Sequence, residues 1–359
     1  MKAIAVIPKK KTSARLVNIE DPKITDTEVL VKVIRVGIDG TDSEINEGLY
    51  GEAPEKESFL IIGHESFGVV EEIGKGSGDF KKGDYVVATV RRPCGICINC
   101  ANGESDMCLT GRFKERGIMG LHGFMAEYYK EIPDFLIKVP AEFKEIGVFL
   151  EPLSIVEKAI CQVFKIQDRM KWNPKNALVL GAGSIGLLAT MLLREKGLTT
   201  YTIARSPKGC FKSDIAQSCG SVYIDINETS LLELKQKIDN IDIIIEATGS
   251  SKVAFDAMQI LAPNGVLCLT SITGGESRLE ILADKINLDM VLGNKIIFGT
   301  VNANRKYFEM GVTHFQTFQH LWPGLLEKMI TRRYAFQDFK EGLDRKREDI
   351  KIVLEIGEI

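Results

Sequence analysis

Apolar and polar residues follow two rhythms along this chain, and the change of rhythm divides it. Up to about residue 140, short apolar runs alternate with turn residues and predict strands at 29–36, 67–73, 85–90, 125–129 and 136–139. Glycine-containing turns at 74–78 and 81–84 separate them. Across 146–164 the apolar residues recur at helical spacing, which predicts a long connecting helix. From residue 176 onward, apolar strands at 177–180, 200–204, 222–225, 241–248, 265–271 and 295–301 alternate with helical stretches. Runs that are apolar throughout suit strands covered on both faces. The expected fold class is therefore α/β: a Rossmann-type, doubly wound, six-stranded parallel sheet beside a β-rich domain. A helical stretch at 305–317 and a strand at 350–356 leave that rhythm and are expected to return to the β-rich domain. The expected divisions are 1–153, 154–301 and 302–359.

Composition narrows the function classes. Of 359 residues, 45% are hydrophobic and 26% charged, an ordinary globular balance, and the length suits two domains. A formal net charge of −3 gives no reason to expect nucleic acid or a membrane surface as a partner. No run approaches a membrane span. The amino-terminal MKAIAVIPKKK has its lysines after a short apolar stretch, the reverse of a secretory signal, so a first strand and a cytoplasmic protein are expected.

Gly181-Ala-Gly-Ser-Ile-Gly186 follows a strand and opens a helix, the context that makes G-x-G-x-x-G specific for a dinucleotide. Gly181 serves the tight turn, Gly183 the approach of the pyrophosphate, and Gly186 the packing of helix on strand. Ser184, Ile185 and Thr248 are further expected cofactor contacts. The second strand of this unit ends in Ala204-Arg205-Ser206, with no carboxylate for a ribose 2′-hydroxyl. Arg205 suits a 2′-phosphate, so NADP is the expected cofactor and NAD a possible second.

Four of the eight cysteines, Cys94, Cys97, Cys100 and Cys108, lie within one short lobe at 93–109. Four thiolates make a closed, structural zinc site, and the spacing does not match the bacterial iron–sulfur pattern. A second metal candidate is His64-Glu65, supported by Asp39 and Thr41 at the end of an apolar strand and by Glu151 at the connecting helix. Asp39 has a plainer reading, since Asp often does no more than cap a turn.

Taken together, the segment Gly37–Asp42, the Gly63-His64-Glu65 motif with Gly68, the four-cysteine lobe, Glu151-Pro152-Leu153 and the glycine fingerprint resemble the medium-chain zinc alcohol dehydrogenases. The segments 90–94, 115–118, 121–125, 299–302 and 348–351 are similar to those of archaeal glucose (aldose) 1-dehydrogenases. The resemblance implies a GroES-like catalytic domain at 1–153 and 302–359 around a Rossmann domain, with the active site in the cleft between them. It implies Asp39 in place of the usual cysteine as first ligand of a catalytic zinc, His64 as second, and Glu65 and Glu151 completing the shell. Thr41 takes the proton-relay position, whereas Glu44 stands where relatives often continue the relay with a histidine. Sugar contacts fall on Thr41, Glu115, Glu151 and Asn302, and Asn302 also meets the cofactor. The implied activity is oxidation of an aldose at C1, D-glucose first, then galactose or xylose, with two Zn²⁺ per chain, in a homodimer or homotetramer. The alternatives are a polyol or alcohol dehydrogenase of the same superfamily and a non-catalytic dinucleotide-binding protein.

Overall fold

The computed structural model describes residues 1–274 and 276–358, which form two compact units. The first unit comprises Met1–Ser154, Asn302–Gln319 and Leu326–Ile359. Its main sheet has 7 strands, six of them in the order Leu136–Lys138, Tyr85–Ala88, Glu65–Ile73, Val29–Ile38, Lys351–Glu355, Ile330–Ala335. The long strand Val29–Ile38 is shared along one edge. Its first half pairs with Tyr128–Glu131, and its second half with Lys351–Glu355. Alternate side chains of these strands, among them Val31, Val33, Val36 and Leu354, pack with Phe124 and Ile118 into one apolar core.

Two small three-stranded sheets complete this unit. One joins Lys2–Val6 to Arg15–Asn18 and Leu60–Ile61. The other pairs Arg91–Arg92 with Lys114–Arg116, and Lys114–Arg116 with Gly120–Leu121, so the cysteine-bearing segment is a loop closed at its base by this pairing.

The second unit comprises Ile155–Val301 and His320–Leu325. Its 6 strands run parallel in the order Val222–Asp225, Thr199–Ala204, Asn176–Leu180, Ile243–Glu246, Val266–Leu269, Ile296–Gly299. The chain starts in the middle, winds to one edge and then to the other. The order therefore reverses beside Asn176–Leu180, the place where doubly wound sheets bind ligands at their carboxyl ends. Leu178, Ile203, Ile244 and Leu267 anchor its core. The connecting helix starts later than its periodicity predicts: Gly147–Phe149 is a 3-10 turn, and the α-helix runs Leu150–Gln167. Among the described residues no helix is long and apolar enough to cross a membrane.

Candidate active site and metal centres

The strand Val29–Ile38 ends at Asp39, which caps the short helix Gly40–Asn46. Oδ1 of Asp39 accepts the backbone N–H of Thr41 at 2.8 Å and of Asp42 at 3.3 Å. Oδ2 accepts the Thr41 hydroxyl at 3.2 Å and faces Nε2 of His64 at 3.5 Å. Asp39 thus does what the capping reading asks and still turns its second oxygen toward a candidate ligand.

Gly63, at φ +90°, bends the chain just before His64, and its N–H donates to Oδ1 of Asp42 at 3.1 Å. Asp42 is fully buried and lies 3.8 Å from Nδ1 of His64, a buried ring nitrogen with no hydrogen-bond partner. Asp39, His64 and Glu65 each bring one donor atom to a common point, all within 4.8 Å of one another. Glu151, buried in the first turn of its helix, is not part of that group of three.

Glu65 opens its strand opposite Gly37, and Gly37 pairs on its other side with Val353. A Cβ on Gly37 would fall 1.9 Å from Oε2 of Glu65, so the carboxylate occupies the space a side chain there would fill. Across that gap Lys351, itself buried, donates to both Glu65 oxygens, at 2.6 Å to Oε1.

The electrostatics of the cluster are those of crowded acids. Burial opposes a charged His64, but Asp39 outweighs it and raises the imidazole well above its ordinary range. Burial, reinforced by the like charge of Asp39, pushes Asp42 up to about 7. Burial, with Glu65 and Asp39 adding repulsion, pushes Glu151 up to about 8. Four buried or half-buried carboxylates share one imidazole and one ammonium. A zinc ion fits this donor set: it would take the imidazole, hard oxygen ligands and the surplus negative charge.

In the cysteine loop the four sulfur atoms also lie within 4.8 Å of one another, and all eight cysteines are free thiols. A hydrogen bond from Thr110 pulls Cys94 down to about 5, whereas burial pushes Cys100 up to about 12. Four thiols gathered this closely suit a cation, which would draw them to the thiolate form.

Glu115 and Asn302, two of the four expected sugar contacts, are brought together: Nδ2 of Asn302 donates to Oε1 of Glu115 at 3.0 Å. Asn302 sits in the left-handed region at φ +58°. Oε1 of Glu115 also receives Nε and Nη2 of the buried Arg91, at 3.0 and 2.9 Å.

In the second unit each glycine of the fingerprint has a distinct reason to be one. Gly181 adopts φ +111°, and a Cβ there would meet the Ala247 carbonyl at 2.6 Å. A Cβ on Gly186 would lie 2.0 Å from the Gly181 carbonyl. Gly183 faces open space and precedes the helix Ser184–Glu195, whose first N–H groups have no side-chain cap. Oγ of Ser184 is buried without a partner. A helix terminus left open in this way suits a pyrophosphate. Ile185 follows in the first turn. Thr248 stands beside Gly181, its Cγ2 3.6 Å from the place a Cβ would take there, and its hydroxyl donates to the buried Glu246. Arg205 is exposed just past the second strand, its carbonyl held by Asn227 at 3.0 Å.

Sequence reasoning missed four residues of these sites. Gly37 and Asp42 lie inside the quoted motif, yet only register and burial reveal their work. Lys351 and Arg91 were legible only as parts of segments similar to relatives.

Comparison with known proteins shows the family. Residues 144–356 match the family described as Glucose dehydrogenase C-terminus, and residues 25–141 that described as Alcohol dehydrogenase GroES-like domain. The chain is 47% identical to a glucose 1-dehydrogenase of Methanocella arvoryzae, over 99% of this chain and 100% of that one. It is 37% identical to a glucose 1-dehydrogenase of Thermoproteus tenax, over 99% of both. The solved structure of Haloferax mediterranei glucose dehydrogenase in complex with NADP, Zn and gluconolactone superposes with a TM-score of 0.92 over 100% of both chains, at 34% identity. A shared fold alone would not carry kinship, but identity of this extent along the whole length does, and the chain belongs to the glucose dehydrogenase family of the medium-chain zinc alcohol dehydrogenases.

Proposed function

We propose that the protein oxidises an aldose at C1 to the lactone, D-glucose ahead of galactose or xylose, with NADP⁺ as the preferred hydride acceptor and NAD⁺ as the second. The observation that carries this reading is the convergence of Asp39, His64 and Glu65 on one buried point, with Thr41 bonded to Asp39. The names of the relatives supply the substrate class.

Asp39, His64 and Glu65 are the candidate ligands of a catalytic zinc, with Glu151 completing the shell, and Cys94, Cys97, Cys100 and Cys108 those of a structural one. When bound, zinc supplies Lewis acidity toward the developing alkoxide charge, and the nicotinamide accepts the hydride. The chain's own residues do the rest. Thr41 relays the C1 hydroxyl proton outward: its Oγ1 accepts that proton as it gives up its own, which it donates to Oδ2 of Asp39 at 3.2 Å. Glu115, Glu151 and Asn302 offer polar partners to the remaining hydroxyls, and a site built to bond hydroxyls rejects alcohols that lack them. The backbone N–H groups at Gly183–Gly186 receive the pyrophosphate, Thr248 lines the same turn, and Arg205 meets the 2′-phosphate.

A turnover comparison of D-glucose, galactose, xylose, sorbitol and ethanol, each with NADP⁺ and NAD⁺, tests the reading. The expected order puts the aldoses first. Sorbitol or ethanol as the best substrate would replace it with a polyol or alcohol dehydrogenase.

A further inference from the structure

We propose that the four-cysteine loop sets the affinity for sugar, because Arg91 and Asn304 tie its closing turn to the Glu115–Asn302 pair. The proposal rests on the reading of Glu115 as a sugar contact.

Arg91 is a buried bridge. Its Nε and Nη2 converge on Oε1 of Glu115, while Nη1 donates to the carbonyl of Asp106 at 3.0 Å. The guanidinium lies over the Phe113 ring, 3.7 Å from its centre, so its plane is fixed. With Asn302 added, three N–H groups meet on Oε1, and Oε2 takes none of these bonds. Glu115 is thereby presented in one orientation, with one oxygen spent on the protein.

The far end of the bridge belongs to the cysteine loop. Asp106 lies in the 3-10 turn Ser105–Met107, directly before Cys108, and the N–H of Cys108 donates back to Ser105 at 3.3 Å. Nδ2 of Asn304, two residues after Asn302, donates to Oδ1 of Asp106 at 2.9 Å. The loop turn is therefore bonded both to the arginine that aims Glu115 and to the segment that carries Asn302. Were that turn to shift, the rigid guanidinium fork of Arg91 would carry the shift to Glu115, where a flexible ammonium would absorb it. Arg91 and Asn304 are positioning residues: neither is placed here against sugar or cofactor.

The test uses the zinc-loaded, full-length protein and Asn304→Asp. This change keeps the oxygen that caps the following helix through Lys306 N–H, at 3.1 Å, and sets a carboxylate against Asp106. The KM for D-glucose should rise about three- to tenfold, the range for one lost hydrogen bond, with kcat and the KM for NADP changed by less than about twofold. Amide hydrogen exchange across 114–121 should quicken in the same protein. Arg91→Lys, which keeps charge but cannot span both acceptors, should shift KM in the same direction and serves if Asn304→Asp does not fold. An unchanged glucose KM, or a raised KM with unchanged exchange at 114–121, overturns the proposal. Glu115→Gln separates the two claims. A normal glucose KM in that variant refutes the sugar role of Glu115, and the proposal falls with it. A raised KM there beside a normal KM in Asn304→Asp overturns the proposal alone.

Discussion

Lys351 holds the carboxylate of Glu65 from 286 positions away in the chain, its Nζ 2.6 Å from Oε1, with both side chains buried. An ammonium so placed neutralises a candidate metal ligand while no metal does. Removing one partner of a buried pair leaves the other uncompensated, which costs about 3–5 kcal/mol. Lys351→Met should show that loss in denaturant unfolding of the chelated protein, and a smaller loss once zinc is restored, because the metal takes over the charge. Equal losses with and without zinc would mean that Glu65 does not reach the metal.

The fingerprint glycines should separate stability from cofactor binding. Gly186→Ala drives a Cβ into the Gly181 carbonyl, 2.0 Å away, and should cost about 1–3 kcal/mol in thermal or denaturant unfolding. Gly183→Ala meets no neighbouring atom and should leave stability within about 0.5 kcal/mol. It should nonetheless raise the KM for NADP about tenfold, because the new methyl stands where the pyrophosphate approaches the backbone. A Gly183→Ala protein with normal cofactor kinetics would place the pyrophosphate elsewhere.

These glycines, and the six parallel strands around them, were legible because local pattern determines them. A strand covered on both faces must be apolar throughout, and Ile243–Glu246 is buried at every position. Among the unpredicted strands, Arg15–Asn18 is mostly exposed and Ile330–Ala335 half-buried, and both carry charged residues, so no apolar run announces them. The helix Gly40–Asn46 escaped notice because it spans 7 residues and begins with glycine, and only its cap at Asp39 marks it. In the site, the donor residues could be named from motifs. The partners that orient them could not, since Lys351 reaches Glu65 only through strand register, and Arg91 reaches Asp106 only through a loop closure.

Acid stability should depend on Glu131. Burial alone would raise its pKa, but the guanidinium groups of Arg116 and Arg92 overcome it and hold Glu131 below its ordinary 4.5. A carboxylate depressed in the folded state stabilises the fold fully above its unfolded pKa. That stability is lost as pH falls from about 4.5 through the depressed value. Glu131→Gln should therefore be less stable than the parent at pH 7, and the gap should narrow below pH ~4.5. A gap independent of pH would show that the triad contributes no charge-dependent stability.

Arg205 should set cofactor choice. Arg205→Ala should raise the KM for NADP roughly tenfold to a hundredfold, the effect of one charge-assisted contact, and leave NAD kinetics nearly unchanged. Equal losses with both cofactors would assign the arginine to the fold.

The catalytic zinc is the central claim, and zinc content measured together with turnover in Asp39→Ala tests it most directly. Asp39 offers Oδ2 toward His64 while Oδ1 caps the helix, so alanine removes a ligand and a cap together. Asp39→Asn keeps the capping oxygen and serves as the folding control. Both variants should lose turnover almost completely and retain about one zinc per chain, the one held by the four thiolates. A parent-like content of about two zincs with full turnover in Asp39→Ala would contradict the account.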